Sequence, residues 1–155
     1  MRSTALPALL LAVVLAACSP PGAAPGTLQL DRLQGRWVVI NYWAQWCKPC
    51  IKEIPELNRL ARQDPRLVVL GVNFDGATGA ELERQVTALG IAFPLLLEDP
   101  APALGIERPA ALPTTVIVNP EGVIRSTLVG PQTEDSLLAA TLGADRPGEG
   151  PGAPR

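Results

Sequence analysis

Cys47 and Cys50 stand three positions apart, with Lys48 and Pro49 between them. Two thiols at this spacing can close on each other and reopen, which is the chemistry of thiol–disulfide exchange. An apolar run, Trp37-Val38-Val39-Ile40-Asn41-Tyr42-Trp43, precedes the pair. After it, Ile51, Ile54, Leu57, Leu60 and Ala61 recur at helical spacing. A strand therefore feeds a turn that opens a helix. A thiolate at a helix N-terminus meets unpaired N–H groups and the positive end of the helix dipole, so its pKa falls. On that basis Cys47 is expected to be the exposed attacking thiol and Cys50 the shielded resolving one. The alternative is a static surface disulfide, against which the labile helix-start position argues. Lys48 either lowers the Cys47 pKa by charge proximity or is a solvated side chain. Pro49 falls in the first helical turn, where its missing N–H does no harm.

Composition narrows the chemistry further. The 155 residues include no His, which removes His-based metal sites, Cys–His pairs and Ser–His–Asp triads. The third cysteine is Cys18, far from the pair, and a structural zinc needs four ligands. Neither a metal nor another cofactor is expected. With 13 Lys+Arg against 15 Asp+Glu and no basic stripe, nucleic acid is not an expected partner. A hydrophobic fraction of 47% suffices for the core of one domain.

The elements that must position the pair can be read in order. Arg2 precedes an apolar run over residues 5–17. It is shorter than the roughly 20 residues of a membrane span and fits a signal peptide, residues 1–17. Leu15-Ala16-Ala17-Cys18 resembles the bacterial lipobox. That resemblance implies cleavage before Cys18 and lipidation of its sulfur, and Ser19 after it resembles the outer-membrane sorting pattern. Ordinary secretory cleavage beside a chance cysteine is the other reading. Residues 18–26, rich in Pro and Gly, read as a tether. An edge strand is expected at 28–30 and a helical turn at 31–35. The run 37–43 is apolar enough for a strand buried on both faces. A helix over 51–62, with Pro55 inside it, is followed by a strand at 67–74. Thr78 or Gly79 caps a helix to 89, with Leu82, Val86 and Leu89 inward and Gly90 closing it. A short strand at 95–97, a helical turn at 101–104 and strands at 114–118 and 123–129 come next. Asn119-Pro120-Glu121-Gly122 makes the hairpin turn. Thr133 caps a helix over 134–142, and the Pro/Gly-rich residues 144–155 are expected to be disordered. This order argues an α/β domain over 27–143, a mixed sheet with helices on both faces.

Residues 39–50, Val-Ile-Asn-Tyr-Trp-Ala-Gln-Trp-Cys-Lys-Pro-Cys, resemble the active-site strand and turn of the thioredoxin superfamily. The continuation Ile51-Lys52-Glu53-Ile54-Pro55-Glu56-Leu57 is similar to the TlpA/ResA-like thiol–disulfide oxidoreductases, with Glu three residues after the second Cys and Pro two later. Leu112-Pro113-Thr114-Thr115 resembles the family's cis-proline loop. The resemblance covers residues 27–143 and implies a thioredoxin-like fold with an added N-terminal strand and a central helix–strand insertion. It implies a cis Leu112–Pro113 bond beside Cys47, where an incoming peptide pairs as an added strand. Trp46, Leu112 and Pro113 would then touch substrate. Glu53, one turn beyond Cys50, would be a partly buried carboxyl with raised pKa that exchanges a proton with Cys50. An exposed helix glutamate is the alternative. Asn41 stands where thioredoxin has a buried aspartate. It either supports the site, as in the TlpA/ResA-like group, or bonds locally. Trp37 and Trp43 suit core packing, and Glu56 and Glu121 suit solvent.

The function so implied is a lipid-anchored disulfide reductase facing the periplasm of a bacterial cell envelope, acting as a monomer. Its substrates would be disulfide-containing exported proteins, apocytochrome c among them, and a membrane thiol electron donor would re-reduce it. No Gly-Val-x-Gly-x-Pro-Glu stretch precedes Pro113, which shifts the expectation from cytochrome c maturation toward a general substrate. A dithiol oxidant or isomerase of the same fold is the nearest rival. A copper chaperone of the related Cys-x-x-x-Cys type needs a further spacer and a distal His, and a peroxidase needs a Thr-x-x-Cys context. This chain has none of these.

Overall fold

The computed structural model describes residues 33–145. The expected signal peptide, Cys18, the tether, the strand at 28–30 and residues 146–155 lie outside them. Strand β1, Trp37–Trp43, is buried at every position, as its apolar run requires. Helix α1, Lys48–Gln63, follows after a four-residue turn and continues through Pro55. Strand β2 is Leu67–Asn73, α2 is Gly79–Leu89, β3 is Leu95–Leu96 and the single turn α3 is Ala101–Leu104. Strands β4, Thr114–Val118, and β5, Ile124–Val129, form the hairpin, and α4, Glu134–Ala140, closes the domain.

The sheet order is β3-β2-β1-β4-β5. β1 runs parallel to β2 and antiparallel to β4, so the sheet is mixed as expected. Alternation along β1 sends its side chains to two cores. Trp37, Val39 and Trp43 pack with Ile54, Leu57 and Leu60 of α1, Leu82 of α2 and Leu137 of α4. Val38, Ile40 and Tyr42 pack with Val116 and Val118 of β4, under Leu104 and Ile106 of the α3 segment. Helical segments therefore flank both faces, in a thioredoxin-like arrangement.

The α3 segment is fastened by polar contacts. Tyr42 Oη donates to Asp99 Oδ1 at 2.8 Å, and Arg108 Nε donates to Asp99 Oδ2 at 2.6 Å. Arg108 also donates to the Phe74 carbonyl and lies 4.0 Å over the Phe74 ring. Burial, then the bond to Asp99, pushes the Tyr42 phenol well up. Burial also pushes Asp99 up, but the N–H of Ala101 and the donors from Tyr42 and Arg108 outweigh it and leave the carboxyl below its usual value.

Several boundaries differ from the sequence reading. Helix α1 begins at Lys48, so Ile51 sits in the first turn and is 38% exposed. On α2, Gln85 is buried beside Leu82, whereas Val86 and Leu89 are half-buried. The reason is polar: Gln85 Oε1 accepts from Asn73 Nδ2 at 2.9 Å, at the end of β2. Leu97 and Val123 lie outside their strands and are exposed. The stretch expected to be disordered from residue 144 starts too early, because Leu142–Asp145 forms a short 3-10 helix.

Candidate active site

Cys47 is the N-cap of α1, in extended conformation, and Ile51 N–H donates to its carbonyl at 3.1 Å. Its side chain does what a capping Ser or Asp does elsewhere: Sγ accepts the Cys50 N–H at 3.2 Å. Sequence thus places this sulfur at the positive helix end, where negative charge is favoured. Cys47 and Cys50 are joined as a disulfide with Cα atoms 5.3 Å apart. Both residues are buried, Cys47 at 3% and Cys50 at 1% exposure. The expectation of an exposed Cys47 is therefore corrected. With the bond closed, its sulfur is turned inward onto Cys50 and the capping N–H, and only a small part meets solvent.

Glu53 lies on the inward stripe of α1 with Cys50, Leu57 and Leu60, and it is only 2% exposed. Its Oε1 accepts from Asn41 Nδ2 at 2.7 Å, and its Oε2 accepts the Gln132 backbone N–H at 2.8 Å. Burial raises its pKa, and the N–H donors of Gln132 and Asn41 pull it back without cancelling the rise. Asn41 and Thr115 are directly paired across β1 and β4, and Asn41 Nδ2 also donates to Thr115 Oγ1 at 3.0 Å. Asn41 Oδ1 is buried, with no hydrogen-bond partner among the described residues.

The Leu112–Pro113 peptide bond is cis. Pro113 is buried, its carbonyl accepts the Gly130 N–H at 2.9 Å, and Thr114 Oγ1 donates to the Ala111 carbonyl at 2.8 Å. Leu112 is half-buried and packs on the core cluster that contains Cys47 and Cys50.

A strand, a disulfide-bearing helix start, a buried acid on that helix and a cis-proline loop are thus assembled together. The AhpC/TSA family model matches residues 15–127. The thiol-disulfide oxidoreductase ResA of Bacillus subtilis (strain 168) is 30% identical over 126 residues, which are 79% of this chain and 68% of that protein. The chain belongs to the ResA-like thiol–disulfide oxidoreductases of the AhpC/TSA family. The ResA of Bacillus thuringiensis (strain Al Hakam) is 28% identical over 112 residues, 71% of this chain and 64% of that protein. The chain thus spans about two thirds of these relatives' lengths. The secreted thiol-disulfide isomerase of Corynebacterium glutamicum superposes with a TM-score of 0.61 at 26% identity, covering 74% of this chain and 73% of that one. StoA of Bacillus subtilis, at 24% identity and a TM-score of 0.58, covers 69% of this chain and 83% of its own and shares the fold.

Around the ResA-like centre, Trp46 is 65% exposed and its indole N–H donates to Asp75 Oδ2 at 2.9 Å. Lys48 and Pro49 are exposed, whereas Trp37 and Trp43 are buried in the core. Glu121 is exposed, but Glu56 is not simply solvated. Its Oε2 accepts the Glu134 N–H at 3.1 Å, at the start of α4, and its Oε1 accepts from Arg59. Those donors, Arg59 foremost, hold the carboxyl below its usual value. Among the described residues no three His, Cys, Asp or Glu side chains come together as a metal site.

Among the described residues, the sequence reading named Cys47, Cys50, Glu53, Asn41, Lys48, Pro49, Trp46, Leu112 and Pro113. It missed Thr115, Gln132 and Asp75. A threonine directly opposite an asparagine inside two buried strands was the available signal for Thr115. Gln132 acts through its backbone, which no side-chain pattern reveals.

Proposed function

We propose that the chain is an exported, lipid-anchored reductase of protein disulfides in a bacterial cell envelope. Its reduced Cys47 thiolate attacks a substrate disulfide, forming an S–S bond to one substrate sulfur and releasing the other as a thiolate. Cys50 then loses its proton to Glu53 and attacks the Cys47 sulfur. The second substrate thiol leaves, and the Cys47–Cys50 disulfide is closed. A membrane dithiol donor of two electrons, with two protons, restores the pair.

The observation that carries this reading is the capping sulfur of Cys47 on the same helix as a buried carboxyl. The direction of exchange depends on how far the helix end stabilises the reduced pair, because a strong oxidant draws its power from a stabilised reduced form. The reductase direction is the part of this reading that the reduction potential of the pair tests. The exposed Trp46 and the half-buried Leu112 before the cis Pro113 would offer contacts to a polypeptide substrate. The Leu15-Ala16-Ala17-Cys18 stretch supports the lipid anchor and a periplasm-facing location.

A Cys50→Ser variant should trap a mixed disulfide between Cys47 and a disulfide-containing exported protein, and Cys47→Ser should trap none. Trapping through Cys50 instead would reverse the assigned roles. For the anchor, the wild-type chain should partition with membranes and Cys18→Ser should release it; equal partition of both would end that part of the reading.

A further inference from the structure

Glu53 is held by two donors that differ in one respect. Gln132 offers a backbone N–H, which can only donate. Asn41 offers a primary amide, which carries an acceptor at the other end. When Glu53 is ionised both contacts are satisfied. Once it takes up a proton, one carboxyl oxygen becomes a donor and needs an acceptor. Of the two groups that bond the carboxyl, Asn41 can supply one, by turning the amide over to present Oδ1.

Two further observations suit that turn. Among the described residues Asn41 Oδ1 has no partner in the present arrangement, so no hydrogen bond from them to it must be broken. The second contact of the Asn41 amide is the Thr115 hydroxyl, 3.0 Å away, and a hydroxyl accepts from Nδ2 or donates to Oδ1 equally well. In one orientation Nδ2 donates to both Glu53 and Thr115. In the other, Oδ1 accepts from both. Each orientation leaves one amide atom unpaired, so neither is favoured by that count.

We propose that Asn41 and Thr115 form an amide relay: the Asn41 side chain reverses when Glu53 takes up a proton, so that Glu53 is held in place in both protonation states. Asn41 and Thr115 are thus positioning residues. The relay rests on the reading above, in which Glu53 takes the Cys50 proton during resolution and later returns it. Each resolution step moves one proton from the Cys50 sulfur to Glu53 Oε1, and the amide turn involves no bond beyond hydrogen bonds. The groups that bond Glu53 are Asn41 from β1 and Gln132 from the link before α4, with Thr115 of β4 bonded to Asn41, and none of the three titrates. On α1 itself Cys50 titrates only when the disulfide is open, while Lys48 and Lys52 are exposed and Glu56 is turned to Arg59 and α4.

The test uses the oxidised protein, in which neither cysteine of the pair titrates. The Glu53 side-chain carbon and the Asn41 side-chain amide are followed by NMR from about pH 4 to pH 9, a range that brackets buried glutamates. The Asn41 amide signals should move with the same midpoint as the Glu53 carboxyl. In Glu53→Gln, whose NH2 mimics the protonated acid, they should sit at the acid-limit positions at every pH. Asn41 signals that stay fixed while Glu53 titrates, or that sit at the alkaline limit in Glu53→Gln, overturn the relay. A relay that fails while Cys50→Ser still traps substrate leaves the reductase reading standing, and a failed trap sinks that reading whatever Asn41 does.

Discussion

Glu53→Gln should make the oxidised protein more stable than the wild type at alkaline pH and leave it nearly unchanged at acid pH. The two side chains are close to isosteric, and the Gln carbonyl can keep the bond from Gln132 N–H. At low pH a neutral Glu53 and a Gln should therefore differ little. As pH rises, the wild type must ionise a carboxyl that is only 2% exposed. Its pKa is raised in the folded state, chiefly by burial. The sign follows from proton linkage. The folded state holds this proton more tightly than the unfolded chain, so the contribution is fully present below the unfolded pKa of about 4.3. It is lost as pH rises from there through the folded pKa, and it is flat above it. Each unit of upward shift weakens the wild type by about 1.36 kcal/mol. With an m-value of about 1–3 kcal/mol/M, one unit moves the urea midpoint by roughly 0.5–1.4 M. The assay is urea unfolding of wild type and variant, both oxidised, across that pH span. Midpoints that stay parallel, or a variant that loses ground as pH rises, would refute the reasoning. The donors Asn41 and Gln132 would then outweigh desolvation, and Glu53 would be a structural anion rather than a proton carrier.

Other perturbations probe the scaffold. On β2, a Cβ at Gly71 would lie 2.5 Å from Leu95 Cδ2, 2.9 Å from Phe93 Cε2 and 3.0 Å from Trp43 Nε1. Gly71→Ala should therefore cost about 1–3 kcal/mol of overpacking in thermal unfolding, and an unchanged melting point would contradict that packing. Thr133 accepts the Ser136 N–H at 3.2 Å while Ser136 Oγ accepts the Thr133 N–H at 3.0 Å. Loss of this capping box in Thr133→Ala should cost about 1 kcal/mol in urea unfolding. Trp46→Ala should shift stability by no more than about 0.5 kcal/mol, as befits an exposed side chain. It should raise KM for a protein disulfide more than it lowers kcat, and an unchanged KM would remove Trp46 from the substrate surface.

Much of the scaffold was legible because its signals are local. The run from Trp37 to Trp43 has no other home than a central strand, and the capping signs at Thr133 and Gly90 mark helix ends where they occur. Glu53 was legible as a site residue through the family resemblance and its place one turn beyond Cys50, but its deep burial was not. That burial depends on Asn41, 12 residues away, and on Gln132, 79 away. The Tyr42–Asp99 bond spans 57 residues and leaves no periodic trace. What the strands did offer was polar residues inside apolar runs, Asn41 and Tyr42 in β1 and Thr115 in β4. Each needed a partner, and each has one. The cis bond before Pro113 was readable only through family resemblance, since trans is the ordinary state of such bonds. The burial of Cys47 escaped because exposure at a helix start depends on whether the disulfide is closed.

The measurement that bears most directly on function is the reduction potential of the Cys47–Cys50 pair, obtained by equilibrating the protein in redox buffers. A potential near about −250 mV or lower, close to thioredoxin at about −270 mV, is the result expected of a reductase. A potential near about −120 mV, that of the strong oxidant DsbA, would mean that the pair makes disulfides and that the proposed direction is reversed.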